Sequence, residues 1–567
     1  MKIKKSFLFS LLMISVPIAC RNPYYAEVER KSSTGYINTI AGKFTGATTP
    51  AQHKALGISC FKKGMMEEAL EELKLAAEGI QEDGELRHYL GKAYYENDKM
   101  DEAVAELLAA LSYYKPDQMV ERADAYNDLG RAYRRKQAYP ESLSALKESL
   151  ELNPSVADTS YNLALLYYDE KKPDESIFYL KNAIKLDPKE ADFHFMLGLA
   201  YCRKKLIDKA TSEFQETIVL NPKDAEAHNY LGILYFKKGE IEKSIGEHKS
   251  ATQLDRNYAE AFNNLGIALY AKGNLNEAAD AFKKTIELEP KFAEAHYNLG
   301  LIYSEEGKSE DAVSFLEKAL ELNPKIAEAH VKLGEVYTEK DLLEEALSEY
   351  NKAIAVKPDY EEAYYHYGEL YAVKGRLDRS IAAWKKTIEL NPQNTDAYFN
   401  LGVAYYNQEK LDKAISMWNK VLEINPSDYD AMTSLADVYD AQGLTDKAIL
   451  AWEKVVEIHP DHAEIQYKLG NAYARKNMYT TAVPFWEKAV EIDPGLVNAY
   501  YNLGLVYQKI GRQDEAIEAY KKVLDINADD KGAHKNLGLL YREKGMHVEA
   551  EAEFAIYNKL KSMQQRK

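Results

Sequence analysis

The chain has 567 residues, 29% of them charged, and a formal net charge of −17. That acidity argues against a nucleic-acid surface, which needs a basic face. Three cysteines cannot build a disulfide framework.

Residues 1–20 read MKIKKSFLFSLLMISVPIAC. Lys2, Lys4 and Lys5 precede an apolar run from Phe7 to Ile18. That run is shorter than the ~20 residues of a membrane-spanning helix, and a signal peptide fits it. Ala19-Cys20 closes it, so the segment resembles a bacterial lipoprotein signal, although Pro17 stands where that family favours Leu. The resemblance implies cleavage of residues 1–19, lipid attachment at Cys20, and anchoring in the bacterial cell envelope. Arg21, not Asp, follows the Cys, which in the familiar sorting pattern favours the outer membrane over the inner. Residues 20–49 then carry Ser, Thr and Gly clusters without lasting periodicity, as a flexible tether would.

From residue 50 to 564 the chain repeats itself. Gly300 serves as a marker: steps of 34 place a Gly or Ala at 57, 91, 130, 164, 198, 232, 266, 300, 334, 368, 402, 436, 470, 504 and 538. One step, from Gly91 to Gly130, is 39, so five residues are inserted near 112–122. In AEAHYNLGLIYSEEGKSEDAVSFLEKALELNPKI, residues 293–326, His296, Leu299, Gly300 and Tyr303 form one helical stripe. Gly307 ends that helix. Ala312, Leu316, Ala319 and Leu320 form a second stripe, and Asn323-Pro324 stops it. Ala or Ser stands twelve residues after every marker, and Tyr three after it in thirteen repeats, Cys60 and Leu269 being the exceptions. A fixed period of this length signals a repeat architecture.

The pattern of Leu-Gly, Tyr, Ala, aromatic, Ala and Pro resembles the tetratricopeptide repeat (TPR) family. The resemblance implies an all-α TPR solenoid of about fifteen 34-residue helix-turn-helix repeats, wound as a right-handed superhelix. The first helix of each pair would line a concave groove. The insertion should lengthen the second helix of its repeat or the following loop, and Pro484 should kink its helix. The last repeat ends in AEFAIYNKLKSMQQRK, and residues 565–567 form a basic tail.

Groove positions are those that the Leu-Gly-Tyr stripe leaves free: six, three and two before the marker, and one, four and five after it. The position six before is acidic in twelve consecutive repeats, from Glu85 to Glu464, where it also suits a helix N-terminus. Two before stand Asn162, Asn264, Asn298, Asn400, Asn502 and Asn536. An amide both donates and accepts, as a peptide unit does, and this column resembles the one with which some TPR arrays clamp extended peptides. One after stand Leu165, Leu199, Ile233, Ile267 and Leu301, flanked by Tyr161, Tyr168, Phe195, Tyr230, Phe236, Tyr270 and Tyr297. These side chains either floor an apolar binding patch or pack against the next repeat. Glu335 and Glu369 then replace the apolar residues; the six groove positions sum to −11 over repeats 7–12 and +3 over the last three. Arg131, Arg134 and Arg135 make a basic spot. The Lys and Asn pattern of TPR domains that grip chaperone C-termini is absent.

Trp384, Trp418, Trp452 and Trp486 share one second-helix position and read as core. His53, His194, His228, His296, His330 and His534 stand four before the marker. Adjacent helices lie ~10 Å apart and zinc ligands ~2 Å from their ion, so one ion cannot collect this column. No metal, cofactor or catalytic motif stands out. The expected function is a membrane-tethered scaffold binding proteins or peptides that carry apolar anchors and basic residues, with no nucleic acid and no chemistry of its own. The alternative is a fixed structural subunit of a cell-envelope secretion, export or outer-membrane assembly complex.

Overall fold

The structure is a computed structural model and describes residues 49–564. The leader 1–19, Cys20, the tether up to 48 and the tail 565–567 lie outside the described residues. Thirty helices run from Pro50–Lys62 to His547–Gln564, with no strand among the described residues. They form fifteen antiparallel pairs, an all-α solenoid of helical hairpins. First helices have 13 residues, except 14 in repeat 7 and 17 in repeat 3; second helices have 14, the last 18. No helix among the described residues is long and apolar enough to cross a membrane.

The chain divides into two compact units, repeats 1–8 up to Pro324 and repeats 9–15 from Lys325. Within each, the same contact explains the small marker. The large side chain sixteen residues on lies directly over it. A Cβ at Gly300 would sit 2.8 Å from Leu316 Cγ, and one at Gly402 2.5 Å from Trp418 Nε1. All four Trp are buried, as their column predicts. The Ala or Ser twelve after the marker is almost fully buried as well, letting the two helices close.

Between the two helices of a repeat the chain reverses through one left-handed residue. Gly fills it in eight repeats; Asp98, Gln137, Lys171, Lys205, Asp341, Glu409 and Asn477 fill it in seven, with φ of 58–60°. A side chain there costs about 1–2 kcal/mol, which the flanking helices override.

The insertion differs from expectation. It does not extend a second helix: Met100–Tyr113 keeps the ordinary 14 residues. Instead the first helix of repeat 3 begins early, as Met119–Arg135. Pro484 lies within Tyr479–Ile492, which retains the standard length.

Candidate binding face of the first helices

The asparagine column is already engaged. Each amide donates back to the residue three before the marker of the preceding repeat, or close to it. Asn162 donates to Asn127 Oδ1 (3.0 Å), Asn264 to Asn229 (3.1 Å) and Asn298 to Asn263 (3.3 Å). These three donors are buried. In the second unit, Asn400 donates to the Tyr365 hydroxyl (3.3 Å), Asn502 to Asn471 Oδ1 (2.9 Å) and Asn536 to the Tyr501 hydroxyl (3.3 Å). The column therefore links repeat to repeat. A peptide clamped there would have to replace these bonds.

The apolar column is not an open floor. Leu165, Leu199, Ile233, Ile267 and Leu301 are only 1–5% exposed. Of the two readings the sequence left open, packing is the one observed. Leu165 and Leu199 share a cluster with Tyr168 and Phe195, against which Tyr161 and Tyr230 pack; Ile267 shares one with Phe236 and Tyr270. Tyr230 stacks on Phe214 of the preceding repeat, ring centroids 5.4 Å apart, and Phe195 meets Phe214 edge-on. The Arg203 guanidinium caps Tyr168 at 3.6 Å. These aromatics serve the interior.

The basic spot of repeat 3 is neutralised. Arg131 meets Asp128 (3.1 Å), Arg134 meets Asp169 (3.5 Å) and Arg135 meets Asp98 (2.9 Å). Asp128 also receives His88 Nε2 at 2.9 Å. Burial alone would raise the Asp128 carboxyl, but the His88 bond and the nearby cations hold it well below the usual carboxylate range.

In the second unit the same face is polar and partly open. Asp437, at the position after the marker, accepts from Trp452 Nε1 (3.2 Å) and pairs with Lys468 (2.9 Å); Asn471 accepts from Trp486 Nε1 (3.1 Å). The indole N–H of a buried Trp needs an acceptor, so the Trp column accounts for two of the polar substitutions. Glu369 and Asp437 keep side-chain exposures of 43% and 44%, Glu464 65%. Asp396 and Asp430 are exposed too.

His366 replaces the bridging asparagine in repeat 10. Its ring lies between Glu335 (3.1 Å) and Glu369 (3.0 Å) and stacks on Tyr350. Burial would lower its pKa, but the two carboxylates outweigh that and push it up to about 10. Glu335, against His366 and Lys332, is correspondingly drawn down to about 2 despite its burial.

The histidine column has a partner that sequence reasoning missed. Nineteen residues after each of five histidines stands a Glu. His53–Glu72 (2.6 Å), His194–Glu213 (2.8 Å), His228–Glu247 (2.6 Å), His330–Glu349 (2.6 Å) and His534–Glu553 tie the two helices of a repeat together. Arg87–Glu106 repeats the device with Arg. The constant separation was the available signal. His296 has Phe315 there and packs on its ring.

Family models described as TPR repeat match residues 130–171, 234–273, 268–307, 337–375, 368–409 and 436–477. Others described as tetratricopeptide repeat match 157–190, 213–246, 293–326, 395–428 and 461–529. No curated protein is matched. Two solved structures of MamA are similar: one is 32% identical over 29% of this chain and 95% of its own, TM-score 0.27. The other is 31% identical over 30% and 92%, TM-score 0.28. A structure described as YrrB, a TPR protein with an unusual peptide-binding site, is 26% identical over 32% and 95%, TM-score 0.28.

Proposed function

This chain belongs to the tetratricopeptide repeat family, and on that premise we propose that it is a membrane-tethered scaffold gripping other proteins along its first helices. The observation that carries the reading is that the described residues are repeat from end to end, with the polar face of repeats 10–13 left partly open. A solenoid of this kind offers extended surface rather than an enclosed cleft. Its partners are proteins or peptides, and the acids at Glu369, Asp396, Asp430 and Glu464 favour a segment rich in Lys and Arg. Because Leu165, Leu199, Ile233, Ile267 and Leu301 are buried, apolar anchors are not part of the proposed recognition in repeats 4–8.

Tethering rests on the leader and Cys20. A diacylglyceryl group plus an N-acyl chain gives stable anchoring, since two or more chains are needed for that. An outer-membrane address follows from Arg21. Metabolic labelling with a palmitate analogue tests this part; labelling equal in wild type and Cys20→Ala removes it.

Crosslinking the full-length chain in its native envelope, followed by identification of what is captured, tests the scaffold. Basic client segments in varying ratios are the expected result. Recovery of one fixed stoichiometric assembly would instead make the chain a structural subunit of an envelope complex.

A further inference from the structure

Two columns change together where repeat 9 meets repeat 10. The residue after the marker, apolar in repeats 4–8, becomes Glu335. The residue two before the next marker, where six repeats carry a bridging Asn, becomes His366. Four residues before His366 stands Glu362, on the same face of the helix Glu361–Val373. Glu335 reaches the pair from Ala327–Glu339. Packing requires neither Glu335 nor His366, since other repeats close on Leu or Ile and on Asn at the equivalent positions; Glu362 belongs to the acidic column six before the marker.

We infer that Glu335, Glu362 and His366 form a binding site for one divalent transition-metal ion of zinc type. One nitrogen and two carboxylates are a zinc-like donor set, leaving a fourth position for water or a partner's side chain. One ligand atom from each residue lies within 4.8 Å of the other two. His366 Nε2 and Glu335 Oε1 are 3.1 Å apart; two ligands on a tetrahedral ion with ~2.1 Å bonds are about 3.4 Å apart. Behind the ring, Glu369 Oε2 holds Nδ1 at 3.0 Å. A carboxylate in that place fixes the tautomer and aims Nε2 at the metal. Tyr360 steadies Glu362 through its hydroxyl at 2.5 Å. Glu335 and His366 keep side-chain exposures of 24% and 23%, enough for an ion to enter. Lys332, 2.5 Å from Glu335 Oε2, is the competing cation. Binding would require that side chain to swing aside and His366 to give up its Nε2 proton to solvent.

The site differs from the histidine column four before the markers, whose members reach Glu across a single repeat and stand too far from one another to share an ion. It also differs from Cys60 and Cys202, both buried.

The test uses the full-length chain, stripped of metal with a chelator and titrated with Zn2+ against a chromophoric chelator. The expected result is one tightly bound Zn2+ per chain. His366→Ala and Glu335→Gln should each abolish that binding. Glu369→Gln should weaken it by roughly ten- to a hundredfold, the usual effect of removing such a supporting carboxylate. His228→Gln, in a His–Glu pair of repeat 6, should leave it unchanged. Far-ultraviolet circular dichroism confirms folding, and Glu362→Gln serves should His366→Ala misfold. Substituted Co2+ should show visible bands of a nitrogen and oxygen site without thiolate charge transfer. Absence of tight Zn2+ in the folded wild type, or equal binding by wild type, His366→Ala and Glu335→Gln, overturns the inference.

Discussion

Repeats 4–8 and repeats 9–13 share one backbone pattern and differ in what faces the neighbouring repeat. In the first stretch, asparagines bond to asparagines and aliphatic residues close over them, leaving little exposed. In the second, the equivalent positions hold Glu335, His366, Glu369, Asp437 and Lys468, joined by charge-assisted bonds and partly wet. Neutral, dry contacts make a stretch cohesive. Charged, half-open ones make it available to a ligand, at some cost in cohesion. The same helix pair thus closes as a dry spine in one place and stays a half-open polar face in another.

Several substitutions would break or sharpen this contrast. The largest effect is expected from Leu199→Ser, Ile233→Ser and Ile267→Ser combined. Each removes a side chain at most 4% exposed, which costs about 2–5 kcal/mol at such a site. Val403→Ser, at the same repeat position in the half-open stretch, should cost distinctly less. Denaturant melts of the two variants decide it; a triple variant as stable as wild type would reopen the apolar column as a binding floor.

His248 offers the next effect. It fills the position over the marker that Phe214 and Phe282 fill in the adjacent repeats. It is fully buried, its Nδ1 has no hydrogen-bond partner, and burial drives its pKa down to about 3. His248→Phe should stabilise the protein by about 1–3 kcal/mol, the cost of an unsatisfied buried polar group. The sign with pH follows from the lowered pKa. Below the unfolded value of about 6.5 the unfolded chain takes up a proton that the folded site refuses, so wild-type stability falls as pH drops from there towards 3. The variant should lose that part of the acid sensitivity. His194 and His228 run the other way. Hydrogen bonds to Glu213 and Glu247 raise their pKa values, so their stabilisation is complete below about pH 6.5 and fades as pH rises through the folded values. Melting temperature against pH, for wild type and His248→Phe, separates the two contributions.

A smaller change is expected in binding. Asp396→Asn with Asp430→Asn should slow capture of a basic segment by about tenfold, ~1.4 kcal/mol, and flatten its salt dependence, with melting unaltered. Capture kinetics at two ionic strengths measure it; unchanged rates would move the binding face elsewhere. Smallest, Lys171→Gly or Glu409→Gly relieves a left-handed φ of 60° or 58° and should add about 1 kcal/mol, alike in the dry stretch and the half-open one. A thermal melt showing a loss instead would mean the side chain is held by more than its turn.

Period, helix pairing, small markers and buried tryptophans were legible because each depends on residues within one repeat. Gly300 with Leu316, or Gly402 with Trp418, is a contact inside 34 residues. Burial of Leu199 or Ile233 was not legible, since it depends on how closely the next first helix approaches. The reach from Asn264 to Asn229 spans 35 residues and pairs two positions that look like neighbouring columns rather than partners. His366 was passed over because it lies outside the histidine column, and Glu335, which pairs with it, comes from the preceding repeat.

The backward step from one asparagine to the next also bears on how such an array changes its copy number. Recombination that removes residues 259–292 sets Asn298 over Asn229, again amide on amide, with Ile233 beside Leu301. The junction keeps the amide pair that its surroundings use, so removing one repeat here should cost little. Removing residues 361–394 instead sets Asn400 over Val331, leaving a donor without its tyrosine. Loss of one repeat should therefore be tolerated better in the dry stretch than in the half-open one.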